Sequence, residues 1–207
     1  MRMIKCLALA SALTIAHPAA AKTWVSDPVG TWLELHFKHS NLFEVTTSVP
    51  NMIATVDLDG EDLTKAHFEI SAAVSAMWSH NTLFIGDLKS DQYFWADRYP
   101  VVTFSSDRVV KEGTGYRVEG QLTARGVTRP FAMAMVPSKI VPWDGVQFRA
   151  FTLNGVLHPK DFGMPFQNPP GLVNDPLFDN QFALTFTVEV TDKPNASAYT
   201  PLPSVPH

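Results

Sequence analysis

The stretch YRVEGQLTARGVTRPFAMAMV, from Tyr116 to Val136, holds two alternating runs around a centre that does not alternate. Tyr116, Val118, Gly120 and Leu122 take turns with Arg117, Glu119, Gln121 and Thr123, the period of a strand with one buried face. Phe131, Met133 and Met135 then alternate with Ala132 and Ala134. Between these two strands lies TARGVTRP, charged and carrying Gly126 and Pro130, where a two-residue turn would have sufficed.

The same period extends outward in both directions. In TWLELHFKH (Thr31 to His39), Leu33, Leu35, Phe37 and His39 share a face opposite Trp32, Glu34, His36 and Lys38. MIATVDLDGEDLTKAHFEIS reads as a hairpin, with Asp59-Gly60 as a tight turn between strands over Met52–Leu58 and Leu63–Ser71. PVVTFSSDRVV and VQFRAFTLNGVL add strands, and LFDNQFALTFTVEVT ends the series with Phe178, Phe182, Leu184, Phe186, Val188 and Val190 in one row. About eight strands result, a number at which a closed antiparallel barrel can hold one small ligand. SHNTLFIGDLKSDQYFWADRYP breaks the pattern. Asn81 and Ser90 are each expected to cap a short helix, Pro100 to stop the second, and Phe84, Tyr93, Phe94 and Trp95 to form a lid or plug.

The chain of 207 residues suits one domain. Its start, MRMIKCLALASALTIAHPAAAK, has two basic residues, a short apolar run and an Ala triplet, the pattern of a secretory signal over residues 1–21. The apolar run falls short of the ~20 residues that span a bilayer. Cleavage after Ala21 removes Arg2, Lys5 and the only cysteine, Cys6, and takes the net charge from −4 to −6. Such a mature protein is a poor partner for nucleic acid, has no disulfide or thiolate site and suits a bacterial periplasm or secretion. Residues 22–192 would form the barrel. DKPNASAYTPLPSVPH ends the chain, and residues 193–207 read as a flexible Pro-rich tail.

The polar residues make no recognisable catalytic set. His36 and His39, three apart on a strand, fall on opposite faces, and His67, His80 and His158 are isolated, so no metal-ligand spacing exists. No G-x-S-x-G elbow is present. A hydrolase assembled from scattered Asp and His remains open, because triads are defined by geometry. The 14 Phe and 7 Met also leave two readings: they pack as core, or they line an elongated cavity that adapts to a flexible apolar chain.

VEGQLTARGVTRPFAM closely resembles the V-x-G-x-L-T-x-x-G-V-T-R-P signature of the YceI-like family of lipocalin-like, polyisoprenoid-binding proteins. FKHS at Phe37–Ser40, DLKSDQYFWADRYPVVTFSS and KDFGM at Lys160–Met164 resemble further family segments, in the same order. The family's usual Arg-Asp pair is replaced by Phe84 and Ile85, and VTTSV replaces its Gly-x-Phe. The resemblance implies an all-β fold: an eight-stranded antiparallel lipocalin-like barrel with a short helical insertion. It also implies a long apolar pocket for an isoprenoid or related lipid, with no other cofactor, and makes a homodimer a reasonable assembly. Function is then expected to be non-enzymatic holding of a polyprenyl or isoprenoid-quinone chain. The alternatives are an enzyme acting on a lipid or quinone in the same pocket, and a structural or stress-associated interaction module.

Inward rows nominate Phe37, Phe68, Ile70, Phe104, Leu122, Phe131, Met133, Phe151, Leu153, Phe182 and Phe186 as ligand contacts, with His39 as a polar contact. Gly126 and Pro130 suggest a shaped connection instead of a simple turn. Arg125 and Arg129 are expected to pair with carboxylates or to meet a polar headgroup near the rim.

Overall fold

Period-2 alternation becomes ten strands in the computed structural model, which describes residues 21–39, 43–164 and 181–193. They are β1 (Lys22–His39), β2 (Phe43–Pro50), β3 (Ile53–Leu58), β4 (His67–Ala73), β5 (Val101–Glu112), β6 (Gly115–Ala124), β7 (Val127–Pro137), β8 (Val141–Trp143), β9 (Val146–Leu157) and β10 (Phe182–Thr191). Among the described residues one α-helix, α1 (Thr82–Lys89), joins them. Two pairs of strands act as single staves. The upper half of β1 pairs with β2 and its lower half with β3, while β7 and β8 lie in turn along β9. Eight antiparallel staves therefore run around the molecule. β10 pairs with β9 on one side and β1 on the other, which closes the barrel.

TARGVTRP is not a shaped loop. Ala124 pairs with Val127 and Thr123 with Thr128, leaving Arg125 (φ 51°) and Gly126 (φ 72°) as a two-residue turn. Two successive positive φ values give the turn whose twist matches that of the flanking strands. Pro130 lies inside β7, opposite Gln121. Counted from the turn, this is a non-hydrogen-bonded position of the ladder with β6. Pairing of β7 with β9 starts only at Ala134, so the missing N–H of Pro130 disrupts no ladder bond.

Two other expectations need correction. The Asp59-Gly60 hairpin forms, with Gly60 at φ 64°, but its second strand starts at His67 and not at Leu63. Asp62 accepts hydrogen bonds from the Thr64 amide and hydroxyl and caps a 3-10 turn over Leu63–Lys65, which buries Leu63 at this end of the barrel. Asn81 does cap α1, its side chain accepting from the Leu83 amide at 3.0 Å. Ser90 caps no second helix. It ends α1 in extended conformation, and its carbonyl accepts from the Tyr93 and Trp95 amides, so a chain of turns follows up to Pro100.

Residues 1–20 with the expected signal and Cys6, together with Ser40, Phe178 and residues 194–207 of the tail, lie outside the described residues. The β4–β5 insertion carrying α1, the Arg125-Gly126 turn and the β1–β2 connection gather at one end of the barrel, here the α1 end. The β3–β4, β5–β6 and β8–β9 connections occupy the distal end.

Candidate functional site

Strand alternation turns one row of every stave into the barrel, and the registers stack these rows against each other. Leu33 pairs with Phe186, Leu35 with Leu184, Phe104 with Leu122, and Ile70 with Phe104. Among the described residues the inner rows pack closely. An apolar cavity of about 20 Å³ remains toward the α1 end, between Leu35, Val49, Leu122, Leu157, Leu184 and Phe186, with Val74, Met77 and Phe94 of the insertion over it. That is room for about one water molecule, without polar partners to hold one. A larger hollow of about 420 Å³ lies beside β8, bordered by Val141, Trp143, Phe148, Arg149 and Glu189. It is an open groove, half-walled by exposed β8 residues, and not an enclosed pocket.

Aromatic rings close the α1 end. Phe94 stacks on Phe182 at 6.2 Å and 27°, and Tyr93 lies 6.3 Å from the same ring. Burial, with the negative charge of Asp87 adding to it, pushes the Tyr93 phenol far above its ordinary value and keeps it protonated. Arg125 holds this segment down. Its Nη1 donates to the carbonyls of Asp91 and Tyr93 at 2.5 and 2.6 Å, and its guanidinium lies 5.2 Å over the Trp95 ring. Gly126 packs under Tyr99, where an added Cβ would come within 2.7 Å of the ring. The motif between the two strands is therefore a staple for the insertion. Arg125 serves main-chain carbonyls and not a carboxylate, and exposed Arg129 likewise donates to the Thr128 carbonyl.

The eleven apolar residues nominated from sequence are all buried. Of these, Leu122 and Phe186 line the cavity. Phe37 and Phe182 meet at 5.4 Å near the insertion, with Phe84 6.3 Å from Phe37. His39 is half-buried, with its ring 5.0 Å from Phe84 and 5.4 Å from Phe43. Phe68 and Phe151 form an edge-on pair at 5.1 Å lower in the barrel, and Phe104 and Phe131 another at 6.4 Å. Phe131 and Met133 lie over Gly155, where a Cβ would meet both within 3.0 Å. Ile70 and Leu153 complete the inner rows.

Phe94, expected as part of a lid or plug, does cover the cavity, but two contributors escaped the sequence reading. Met77 reaches the cavity from irregular chain, where no alternation reports facing. Arg149 is the second. It shares the inner row of β9 with Phe151 and Leu153, retains 6% exposure, and its guanidinium lies 5.5 Å over the Phe151 ring. Choosing the Phe151 face for this strand already places Arg149 inside, two residues earlier, so the signal was available. Elsewhere, His36 lies on the outer face of β1, 3.3 Å from Glu44 and 3.9 Å from Glu34. Among the described residues no three His, Cys, Asp or Glu side chains converge as metal ligands. No described helix is long and apolar enough to cross a membrane.

Comparison with known proteins agrees with this architecture. A UPF0312 protein of Photorhabdus laumondii is 40% identical over 78 residues, covering 36% of this chain and 40% of the relative. A Yersinia pestis UPF0312 protein is 26% identical over 166 residues, covering 76% and 84%. The chain thus spans about two-fifths of the Photorhabdus relative and most of the Yersinia pestis one. Among solved structures, Burkholderia cenocepacia BcnA superposes with a TM-score of 0.68 at 14% identity, covering 79% of this chain and 98% of that one. A Campylobacter jejuni YCEI protein gives 0.63 at 21% identity, with 75% and 90% covered. A polyisoprenoid binding domain from Saccharophagus degradans gives 0.60 at 9% identity, with 82% and 98% covered. The model of the YceI-like domain matches residues 24–190, nearly the whole barrel, and the chain therefore belongs to the YceI-like domain family.

Proposed function

We propose that this protein is an exported, non-enzymatic carrier that holds a linear isoprenoid chain inside the barrel and shields it from water. The observation that carries this reading is the interior itself, a mostly apolar core with a small cavity that is walled by apolar side chains and covered by the insertion. Likeness to a structure described as a polyisoprenoid binding domain supports the same ligand class. Each methylene buried in the bore is worth ~0.8 kcal/mol, so a long chain needs few polar contacts.

Size decides how binding must work. Ligand pockets typically measure roughly 300–1,000 Å³, far more than the cavity of about 20 Å³. For a chain to occupy this cavity, Phe94 must withdraw and Met77 and the inner Phe and Met side chains must change rotamer. The segment around Phe94 is the part that can move without opening the barrel ladder, because ring contacts and the Arg125 staple hold it, whereas Trp78, beside Met77, is tied to β2 by reciprocal backbone hydrogen bonds with Ser48. Export to the periplasm, loss of residues 1–21 and a homodimeric assembly belong to the same proposal.

Extraction of natively purified protein, followed by mass spectrometry, tests it directly. The expected result is a co-purifying isoprenoid, and prenols of increasing length should bind with rising affinity up to a plateau. Affinity indifferent to chain length but sensitive to headgroup alone would overturn the carrier reading.

A further inference from the structure

We propose that Arg149 is a binding subsite for the anionic terminus, phosphate or carboxylate, of the apolar chain held in the bore. This rests on the carrier reading and adds the orientation of the ligand, polar end toward the distal end of the barrel. Arg149 is 6% exposed and points inward in the row of Phe151 and Leu153. Its Nε and Nη1 are buried and make no hydrogen bond among the described residues. The carboxylate paired with it, Glu61 in the β3–β4 connection, stands 3.8 Å away, beyond hydrogen-bond reach, on a side chain 80% exposed. Burying a guanidinium costs more than such a distant, solvent-screened pair returns. Stacking on Phe151 satisfies the face of the guanidinium but none of its in-plane donors. What fits those donors is anionic oxygen: Nε and Nη1 point to different sides of the guanidinium, so each takes its own acceptor, and a phosphate or carboxylate oxygen at Nη1 would make the charge-assisted bond that Glu61 stands too far away to make.

The position adds chemistry to geometry. Between the Phe37–Phe182 contact and the Phe68–Phe151 pair the inner rows are mostly apolar, with Thr47 and Ser106 as neutral buried hydroxyls, and the guanidinium stands just beyond that pair. A cation at one end of such a bore distinguishes the two ends of a linear ligand.

The test uses the full chain, calorimetry and three probes: geranylgeraniol, geranylgeranyl phosphate and inorganic phosphate alone. The phosphate ester should bind wild type at least about tenfold more tightly than the alcohol, the ratio expected of a charge-assisted pair. Arg149→Met should abolish that ratio, leave affinity for the alcohol within about twofold, and melt no lower than wild type, since an apolar side chain replaces a buried charge. Arg149→Lys, which keeps charge without the fork, should retain part of the ratio and stands in if the Met variant does not fold. A ratio that survives both substitutions, or is absent in wild type while the alcohol still binds, overturns the subsite alone. Inorganic phosphate that binds through Arg149, with no gain for the ester over the alcohol, would instead reveal a free-anion site. Failure of both lipids to bind defeats the carrier reading itself.

Discussion

Leu122 and Thr123 are neighbours in the chain but face different media. Leu122 is 1% exposed against the cavity, whereas Thr123 faces outward and its hydroxyl meets that of Thr128 at 2.8 Å. A buried unpaired carboxylate costs several kcal/mol, against a whole-domain stability of ~5–15 kcal/mol. Leu122→Asp should therefore prevent folding, while Thr123→Asp should cost under ~1 kcal/mol. Thermal melts of the pair check this, and equal effects would disprove the register. Gly126 combines a positive φ with contact to Tyr99, so Gly126→Ala should lower stability by ~1–3 kcal/mol. Glu189 carries a pH signature. Burial, and then the nearby charge of Asp27, push its carboxyl above the ordinary value, so the folded state binds this proton more tightly than the unfolded chain. The sign follows from linkage: stability falls as pH rises from the ordinary carboxylate range through the raised value, and the ionised group is a net cost at neutrality. Glu189→Gln should raise Tm at pH 7 and flatten the decline between pH 4 and 7; identical pH curves for the two proteins would refute it.

At the scale of elements, the insertion is the least secured part of the molecule. An eight-residue helix is marginal by itself, and α1 depends on the Asn81 cap, burial of Leu88 and the rings that follow it. Removing the Phe94 ring should enlarge the cavity under the insertion at a cost of ~3–5 kcal/mol. Phe94→Ala should thus melt at a lower temperature yet take up geranylgeraniol faster in stopped flow, whereas uptake unchanged or slowed would show that the insertion is not the entrance. Asn81 was legible as a cap because Asn before an apolar run is a local signal. Leu63 and Ser90 were misread for a matching reason. A capped 3-10 turn and a chain of β-turns use the same residues as a strand start and a helix cap, and only the fixed backbone separates them.

For the whole molecule, closure depends on β10. The Thr31 hydroxyl bonds the Glu189 carbonyl across 158 residues of chain, and each ladder of β10 joins it to a different neighbour. Loop closure of that span must precede its reward, so the seam between β1 and β10 should form late in folding. A chain ended before Phe182 loses both ladders and exposes the edges of β1 and β9. It should aggregate instead of yielding a monodisperse barrel, and a soluble, cooperatively melting truncation would contradict this. What the sequence determined alone was the number of staves and the facing of the nominated residues in the strands it showed, since the two faces of a strand differ by a period of two that needs no knowledge of the partner, whereas β2, β8 and the first half of β1 carried no pattern that was read. It also carried the family signature, down to Gly126 of the turn. The tertiary structure decided how little space the described inner rows leave, that Arg125 staples the insertion, and that the Nε and Nη1 donors of Arg149 make no hydrogen bond among the described residues. Each of these depends on which side chains meet across a closed barrel, and the pairings that bring them together are set by closure of distant strands, which local pattern does not encode.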